Sequence, residues 1–206
     1  MRKLAFLAAV FSVFFMVHQA SAQQADAMFG FGTITSPGAT SCNGISGCPE
    51  TGGLYPSVGA DVIFHHRIGF AYEVTWRGGQ GAYGGSGGAP YRPIINDFNA
   101  VFQPRINKRV GFDIMAGIGW QDTRLYTSQY SCTYFSCTNY STNNNFLVDV
   151  GGGLRYYFWH NVFIRPEVKY YNIHNNLANF SVNSFGYSSS SVVHVGASIG
   201  YTIGPE

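Results

Sequence analysis

The stretch Arg109-Val-Gly-Phe-Asp-Ile-Met-Ala-Gly-Ile-Gly-Trp-Gln121 is written on two parities. Val110, Phe112, Ile114, Ala116, Ile118 and Trp120 form one, and Gly111, Asp113, Met115, Gly117, Gly119 and Gln121 form the other. Successive side chains on a strand point to opposite sides, so this segment predicts a strand with one broad apolar face and one small or charged face. The same writing recurs over most of the chain. Ile68, Phe70, Tyr72, Val74 and Trp76 alternate with Gly69, Ala71, Glu73, Thr75 and Arg77, and Val162, Ile164, Val168 and Tyr170 alternate with Phe163, Arg165, Glu167 and Lys169.

Eight strand-like segments follow from this period, approximately 25–35, 54–64, 68–77, 91–103, 109–121, 145–158, 162–172 and 191–203. Each is close to the ~9–11 residues that a tilted strand needs to cross a bilayer. Short turns at 65–67, 104–108 and 159–161 alternate with long connections at 36–53, 78–90, 122–144 and 174–190, as in outer-membrane barrels. A soluble barrel would show the same alternation with its faces exchanged. The glycines separate the two readings. A solvent face has no use for Gly111, Gly117, Gly119, Gly151, Gly153, Gly196 and Gly200, whereas a narrow interior must mix small with large side chains. Charged residues are only 11% of the chain and aromatic residues 17%, against about 25% charge in an ordinary soluble domain. Trp76, Trp120, Tyr156 and Tyr170 near strand ends suit interfacial girdles.

Arg2 and Lys3 precede an apolar run from Leu4 to Val17 that ends in Ala20-Ser21-Ala22, which reads as a secretory signal cleaved after Ala22. The run is shorter than the ~20 residues of a spanning helix. The expected organisation is a signal peptide over 1–22 and one barrel domain over 23–206. Twelve basic and ten acidic side chains leave no basic stripe, which removes the electrostatic case for a nucleic-acid partner.

These features together predict an all-β chain, an eight-stranded antiparallel up-and-down transmembrane β-barrel behind a cleaved signal peptide. The chain resembles small outer-membrane β-barrel proteins of the OmpA-type transmembrane-domain and OmpX-like class. Gly151-Gly-Gly-Leu-Arg-Tyr-Tyr-Phe158 followed by Val162-Phe-Ile-Arg-Pro-Glu-Val-Lys-Tyr170 is similar to the penultimate hairpin of the broad outer-membrane-protein β-barrel domain family. His194, Gly196, Ile199 and Tyr201 resemble the signal read by the barrel-assembly machinery, although the chain continues through Gly204, Pro205 and Glu206 instead of stopping on an aromatic residue. The resemblance implies a Gram-negative cell envelope, with outer-membrane lipid and lipopolysaccharide as surroundings, long loops outside and termini in the periplasm. It implies no cofactor.

The inward parity gathers Asp61, Glu73, Asp97, Asp113 and Asp149 with Glu167, Arg77, Arg155, Arg165 and Lys169. In a lumen barely wide enough for side chains, these are expected to pair and plug it. Arg155 would face Arg165, a repulsive contact unless a carboxylate such as Glu167 lies diagonally between them. Asn96 falls on the lipid parity, which is costly unless a bulge shifts the register. Cys42, Cys48, Cys132 and Cys137 form two close pairs in polar loops; export makes disulfides the leading reading, in any of three pairings, and neither cluster has the further ligands that zinc needs. His174 near the outer rim, with Ser181, Ser184 and Ser188 after it, is the strongest catalytic candidate, but no carboxylate occurs between Lys169 and Pro205. A rim histidine is the plainer reading, so no catalytic residue and no metal ligand is assigned. Three functional classes follow in order: a structural or surface-interaction barrel, a narrow porin-like passive channel, and a lipid-modifying hydrolase or acyltransferase.

Overall fold

A computed structural model describes residues 24–35, 51–64, 67–83, 89–132, 137–174 and 189–204. Nine strands occur in chain order: β1 (Gln24–Thr35), β2 (Tyr55–Ile63), β3 (Ile68–Trp76), β4 (Gly81–Tyr83), β5 (Ala89–Phe102), β6 (Val110–Cys132), β7 (Cys137–Trp159), β8 (Val162–His174) and β9 (Ser189–Ile203). All are antiparallel to their neighbours. The order β3-β2-β1-β9-β8-β7-β6-β5 closes on itself through β3–β5 pairing, giving a ring of eight. Three-residue β4 adds to the outer end of β5 and takes no part in closure. A closed ring leaves no unpaired edge inside a bilayer, where a bare backbone polar group costs several kcal/mol.

The parities fall as the alternation predicts. On β6, Ile114 and Ile118 are 54% and 56% exposed, while Asp113 and Met115, on either side of Ile114, are each 1% exposed. Thirty large hydrophobic side chains among the described residues are exposed, a surface no water-soluble barrel could carry. Lipid is the solvent that suits it. From Val110 to Trp120 the apolar face of β6 spans roughly 25 Å along the axis at a tilt of ~40°, the height of the apolar band of such barrels.

Two expectations are corrected. The connection expected as a loop over 122–144 is largely strand, because the ladder runs unbroken from Trp120↔Phe146 through Gln121↔Asn145 to Tyr126↔Tyr140 and resumes at Ser131↔Thr138. The apolar alternation stops where lipid stops, but Thr and Tyr still favour an extended, cross-paired backbone in water. Likewise, part of the expected loop over 78–90 is β4 and the start of β5. The second correction concerns Asn96. Its register is unshifted against both Val74 and Trp120, so no bulge turns it inward. It is instead covered: Tyr72 Oη donates to Asn96 Oδ1 at 3.1 Å, and the Tyr72, Phe98 and Trp120 rings stack in sequence with centroids 4.5 and 5.8 Å apart. Asn96 is left only 8% exposed.

Replacing Ile114 by Lys is expected to destabilise the barrel by ~2–4 kcal/mol in lipid vesicles, the cost of a cation at bilayer depth. Reversible urea unfolding checks it, and Met115→Leu on the opposite parity should shift the transition much less.

Candidate functional site

The lumen holds three layers. At the turn end, Met28, Tyr157 and Phe163 pack together, and Arg105 lies over the Tyr157 ring at 5.2 Å while donating to Gln24 Oε1 at 2.7 Å. Phe163 can lie flat against β9 because Gly200 stands across from it; any side chain there would overlap the ring. Gln24 Nε2 donates to Asp26 Oδ2 at 2.9 Å and to Gln103 Oε1 at 3.2 Å, and Gln103 Nε2 donates to Asp113 Oδ1 at 3.2 Å.

The middle layer is ionic. Arg155 bonds the Asp26 carboxylate through Nη1, and its Nη2 lies 3.1 Å from Asp61 Oδ2 and 3.0 Å from Asp113 Oδ2. Its guanidinium also sits 4.1 Å above the Phe163 ring centroid. Arg165 reaches Glu167 Oε2 at 2.7 Å, Glu73 Oε2 at 3.3 Å and Asp113 Oδ2 at 3.5 Å. Lys169 Nζ lies 3.0 Å from Glu73 Oε2 and 3.2 Å from Asp97 Oδ2, and Tyr171 Oη donates to Asp97 Oδ2 at 2.9 Å. These contacts form one chain, Asp26–Arg155–Asp113–Arg165–Glu73–Lys169–Asp97–Tyr171, with every charged side chain in it at most 5% exposed. Burial removes water from each ion, and only such multiple pairing offsets that cost.

The third layer, toward the long connections, holds a buried cluster of Ile34, Tyr55, Ile95, Leu147, Tyr171, Ile173 and Val192. The buried polar side chains Gln121, Thr123 and Asn145 lie beside it, with Gln121 directly opposite Ile95.

Asp61, Glu73, Asp97, Asp113, Arg155, Arg165, Glu167 and Lys169 meet in the ionic layer, and Asp149 is buried beside it on β7 without an ion pair. Arg77 does not join them. β3 ends at Trp76, so Arg77 lies at the rim, donating to Tyr91 Oη at 2.6 Å with its guanidinium over that ring. The carboxylate that separates the two arginines is Asp113, which both contact, whereas Glu167 pairs with Arg165. Asp26, Gln24 and Gln103 were not anticipated. Asp26 shares the parity of Met28 and Gly30 at the start of β1 and is directly opposite Asp61, so its place was readable once the first pair of strands was registered.

At the outer end, Cys132 and Cys137 are paired in register and joined by a disulfide at the tip of the β6–β7 hairpin. Cys42 and Cys48 lie outside the described residues, as do Ser181, Ser184 and Ser188. His174 ends β8, exposed, opposite Phe146 and Ser189. On β9, His194 is buried in the lumen while Ile199 and Tyr201 face lipid. Below the tip, Tyr126 and Tyr140 meet edge to face at 5.7 Å, and Arg124 covers the Tyr140 ring at 4.9 Å.

Arg155→Met removes the cation shared by three buried carboxylates and is expected to cost ~3–5 kcal/mol. The temperature at which the folded gel form converts to the unfolded form should fall clearly; an unchanged temperature would mean that Asp26, Asp61 and Asp113 do not depend on Arg155.

Comparison with known proteins agrees with this architecture. The outer membrane protein beta-barrel domain family matches residues 6–191. Among solved structures, Neisserial surface protein A is similar over 87% of this chain and 96% of its own, at 13% identity and a TM-score of 0.60. A major outer membrane protein from Thermus thermophilus is similar over 88% of this chain and 100% of its own, at 11% identity and a TM-score of 0.56. At these identities the two structures speak for the fold. No curated protein sequence matches the chain. With a closed eight-stranded ring, a lipid-facing exterior and a family match over most of its length, this chain belongs to the outer membrane protein beta-barrel domain family and resides in the cell outer membrane.

Proposed function

We propose that this protein is a closed, non-enzymatic barrel whose role is structural or surface-interacting, carried out by the connections at one end. The observation that carries the reading is the lumen itself: an ion-paired layer between Asp26 and Asp97 lies beneath an apolar cluster centred on Ile95, Leu147 and Tyr171. Neither layer suits the passage of hydrated solutes, since an eight-stranded interior has room only for its own side chains.

Orientation follows the pattern of the fold. The termini of the barrel and the short turns share one end, which we assign to the periplasm, and the β6–β7 hairpin projects from the other into the extracellular space. Residues 1–22 act as the export signal, a reading supported by Arg2 and Lys3, the apolar run from Leu4 to Val17 and the small residues Ala20-Ser21-Ala22. His194, Gly196, Ile199 and Tyr201 on β9 serve recognition by the barrel-assembly machinery; Ile199 and Tyr201 are presented on the lipid face, where a partner could reach them before membrane entry.

The hairpin is the part best built for contact. Its ladder continues to Cys132↔Cys137, where the disulfide holds the tip. From Leu125 to Val148 the chain has no charged side chain, and Tyr130 is 72% exposed. An uncharged, tyrosine-bearing projection closed by a disulfide binds through stacking and hydroxyl or amide hydrogen bonds. Neisserial surface protein A, of the same fold, carries its location in its name. Lipopolysaccharide surrounds such a projection and is the first partner to test.

Planar-bilayer recordings on the refolded protein should show no reproducible conductance steps; steady unitary steps would establish the channel reading instead. Replacing residues 127–139 by a short turn should leave the heat-modifiable barrel intact while abolishing retention of lipopolysaccharide by the detergent-solubilised protein. Undiminished retention would place the contact elsewhere.

A further inference from the structure

The end of the barrel that carries the short turns displays charge of one sign. Seven of the chain's ten carboxylate side chains are shut inside the lumen. Of the other three, Asp122 lies on β6 beyond Trp120, toward the hairpin tip, and Glu50 and Glu206 lie outside the described residues. Among the described residues the turn end therefore exposes no carboxylate, whereas Arg67, Lys108 and Arg109 are all exposed there. None of these three is ion-paired with a described residue.

Backbone bonds lace the turns into one surface. Gln103 N donates to Arg67 O at 2.8 Å, which seats the β2–β3 turn against the start of the β5–β6 turn, and Tyr157 N donates to Arg109 O at 2.8 Å, which seats that turn against the β7–β8 hairpin. Asn107 Oδ1 accepts from the backbone N–H groups of Arg109 and Val110, both at 2.8 Å, so Lys108 and Arg109 are held on a formed turn. Arg67 and His160 have φ of 65° and 35°, and they are the described residues other than glycine with positive φ. Such turn positions take glycine or asparagine most easily. The backbone does not ask for a guanidinium or an imidazole there, so these side chains answer to something outside the chain.

Height and polarity say what that is. Arg109 adjoins Val110, where the roughly 25 Å apolar face of β6 begins, which puts these cations at headgroup level. Ile106 and Trp159, at the tips of the same turns, are 63% and 67% exposed. Cations interleaved with a large aliphatic side chain and an indole match a headgroup layer, charged outside and apolar beneath.

We propose that this face binds the phosphate groups of anionic phospholipid in the inner leaflet of the outer membrane, through Arg67, Lys108 and Arg109, with Ile106 and Trp159 against the glycerol region. The choice of leaflet rests on the assignment of the short turns to the periplasm. Arg67 and Arg109 offer guanidinium forks that suit two phosphate oxygens, and Lys108 adds a point charge. A zwitterionic headgroup carries its own ammonium, which competes for the same phosphate, so the face prefers lipids of net negative charge.

The test purifies the refolded full mature chain from mixed micelles holding equal amounts of phosphatidylglycerol and phosphatidylcholine and counts the retained lipid by native mass spectrometry. A severalfold preference for phosphatidylglycerol is expected, weakening as salt rises. The triple variant Arg67→Asn, Lys108→Gln, Arg109→Gln should lose the preference yet keep the heat-conversion temperature, since asparagine suits the left-handed turn and the other two side chains are exposed. Arg92→Gln with Arg124→Gln, at the opposite rim, should keep it. The proposal is overturned if the wild-type chain retains both lipids alike, or if the triple variant keeps the preference. It is also overturned if the wild-type chain pellets with purified peptidoglycan, the triple variant does not, and neither selects phospholipid, since the face would then belong to the cell wall. Labelling of Lys108→Cys on intact cells by a maleimide too large for porins, beyond the level of the unsubstituted chain, would overturn the orientation together with the leaflet. With that label excluded and no lipid preference, the phospholipid assignment alone fails.

Discussion

Everything in this barrel turns on a space that eight strands leave just wide enough for side chains and that must nonetheless hold ionised ones. Asp113 stands at the centre of that constraint, because it is ion-paired with both Arg155 and Arg165 and lets two cations on adjacent strands lie side by side. Each guanidinium in turn reaches across the lumen: Arg155 on β7 meets β1 and β2 besides the adjacent β6, and Arg165 on β8 meets β3 and β6, neither of which is beside it. Backbone ladders fix each strand only to the two beside it. The ionic layer is what ties opposite walls together, and it fills the cross-section that strand number and stagger set.

The exterior answers a different demand. Lipid provides no hydrogen bonds, which is why Asn96 on the outward face is enclosed by Tyr72, Phe98 and Trp120 and takes a bond from the Tyr72 hydroxyl. The inside tolerates charge because partners are abundant. The outside tolerates one amide because three aromatic rings shield it.

Period-two alternation made the walls legible in the sequence, and the faces of β6 and β8 could be assigned before any register was known. The alternation did not show where strands stop. Past Trp120 the apolar parity disappears although the hydrogen-bonded ladder continues, since hydropathy reports the membrane boundary and pairing reports the strand. Arg77 illustrates the converse: its parity is that of Glu73, but it stands one position beyond the end of β3 and turns to Tyr91 at the rim. The apolar outer layer was hidden by the sequence pattern itself. Ile95, Leu147 and Tyr171 sit on the inward parity, next to outward Ile94, Phe146 and Tyr170, and apolar residues on both parities weaken an alternation without revealing which face closes the lumen.

The ring closes where the ends of the chain meet, with Ala25 of β1 opposite Ile203 of β9. That ladder joins residues separated by nearly the whole sequence, while every other pairing in the ring except β3 with β5 links strands that follow directly in the chain. Its entropic cost must be met before any contact across it forms, so closure is the slow, late event of folding. Until then β1 and β9 are both open edges, able to template the wrong neighbour. A chain of this topology is therefore most exposed to aggregation when seven of its eight wall ladders have already formed, and the time it spends in that state sets how much it needs an escort.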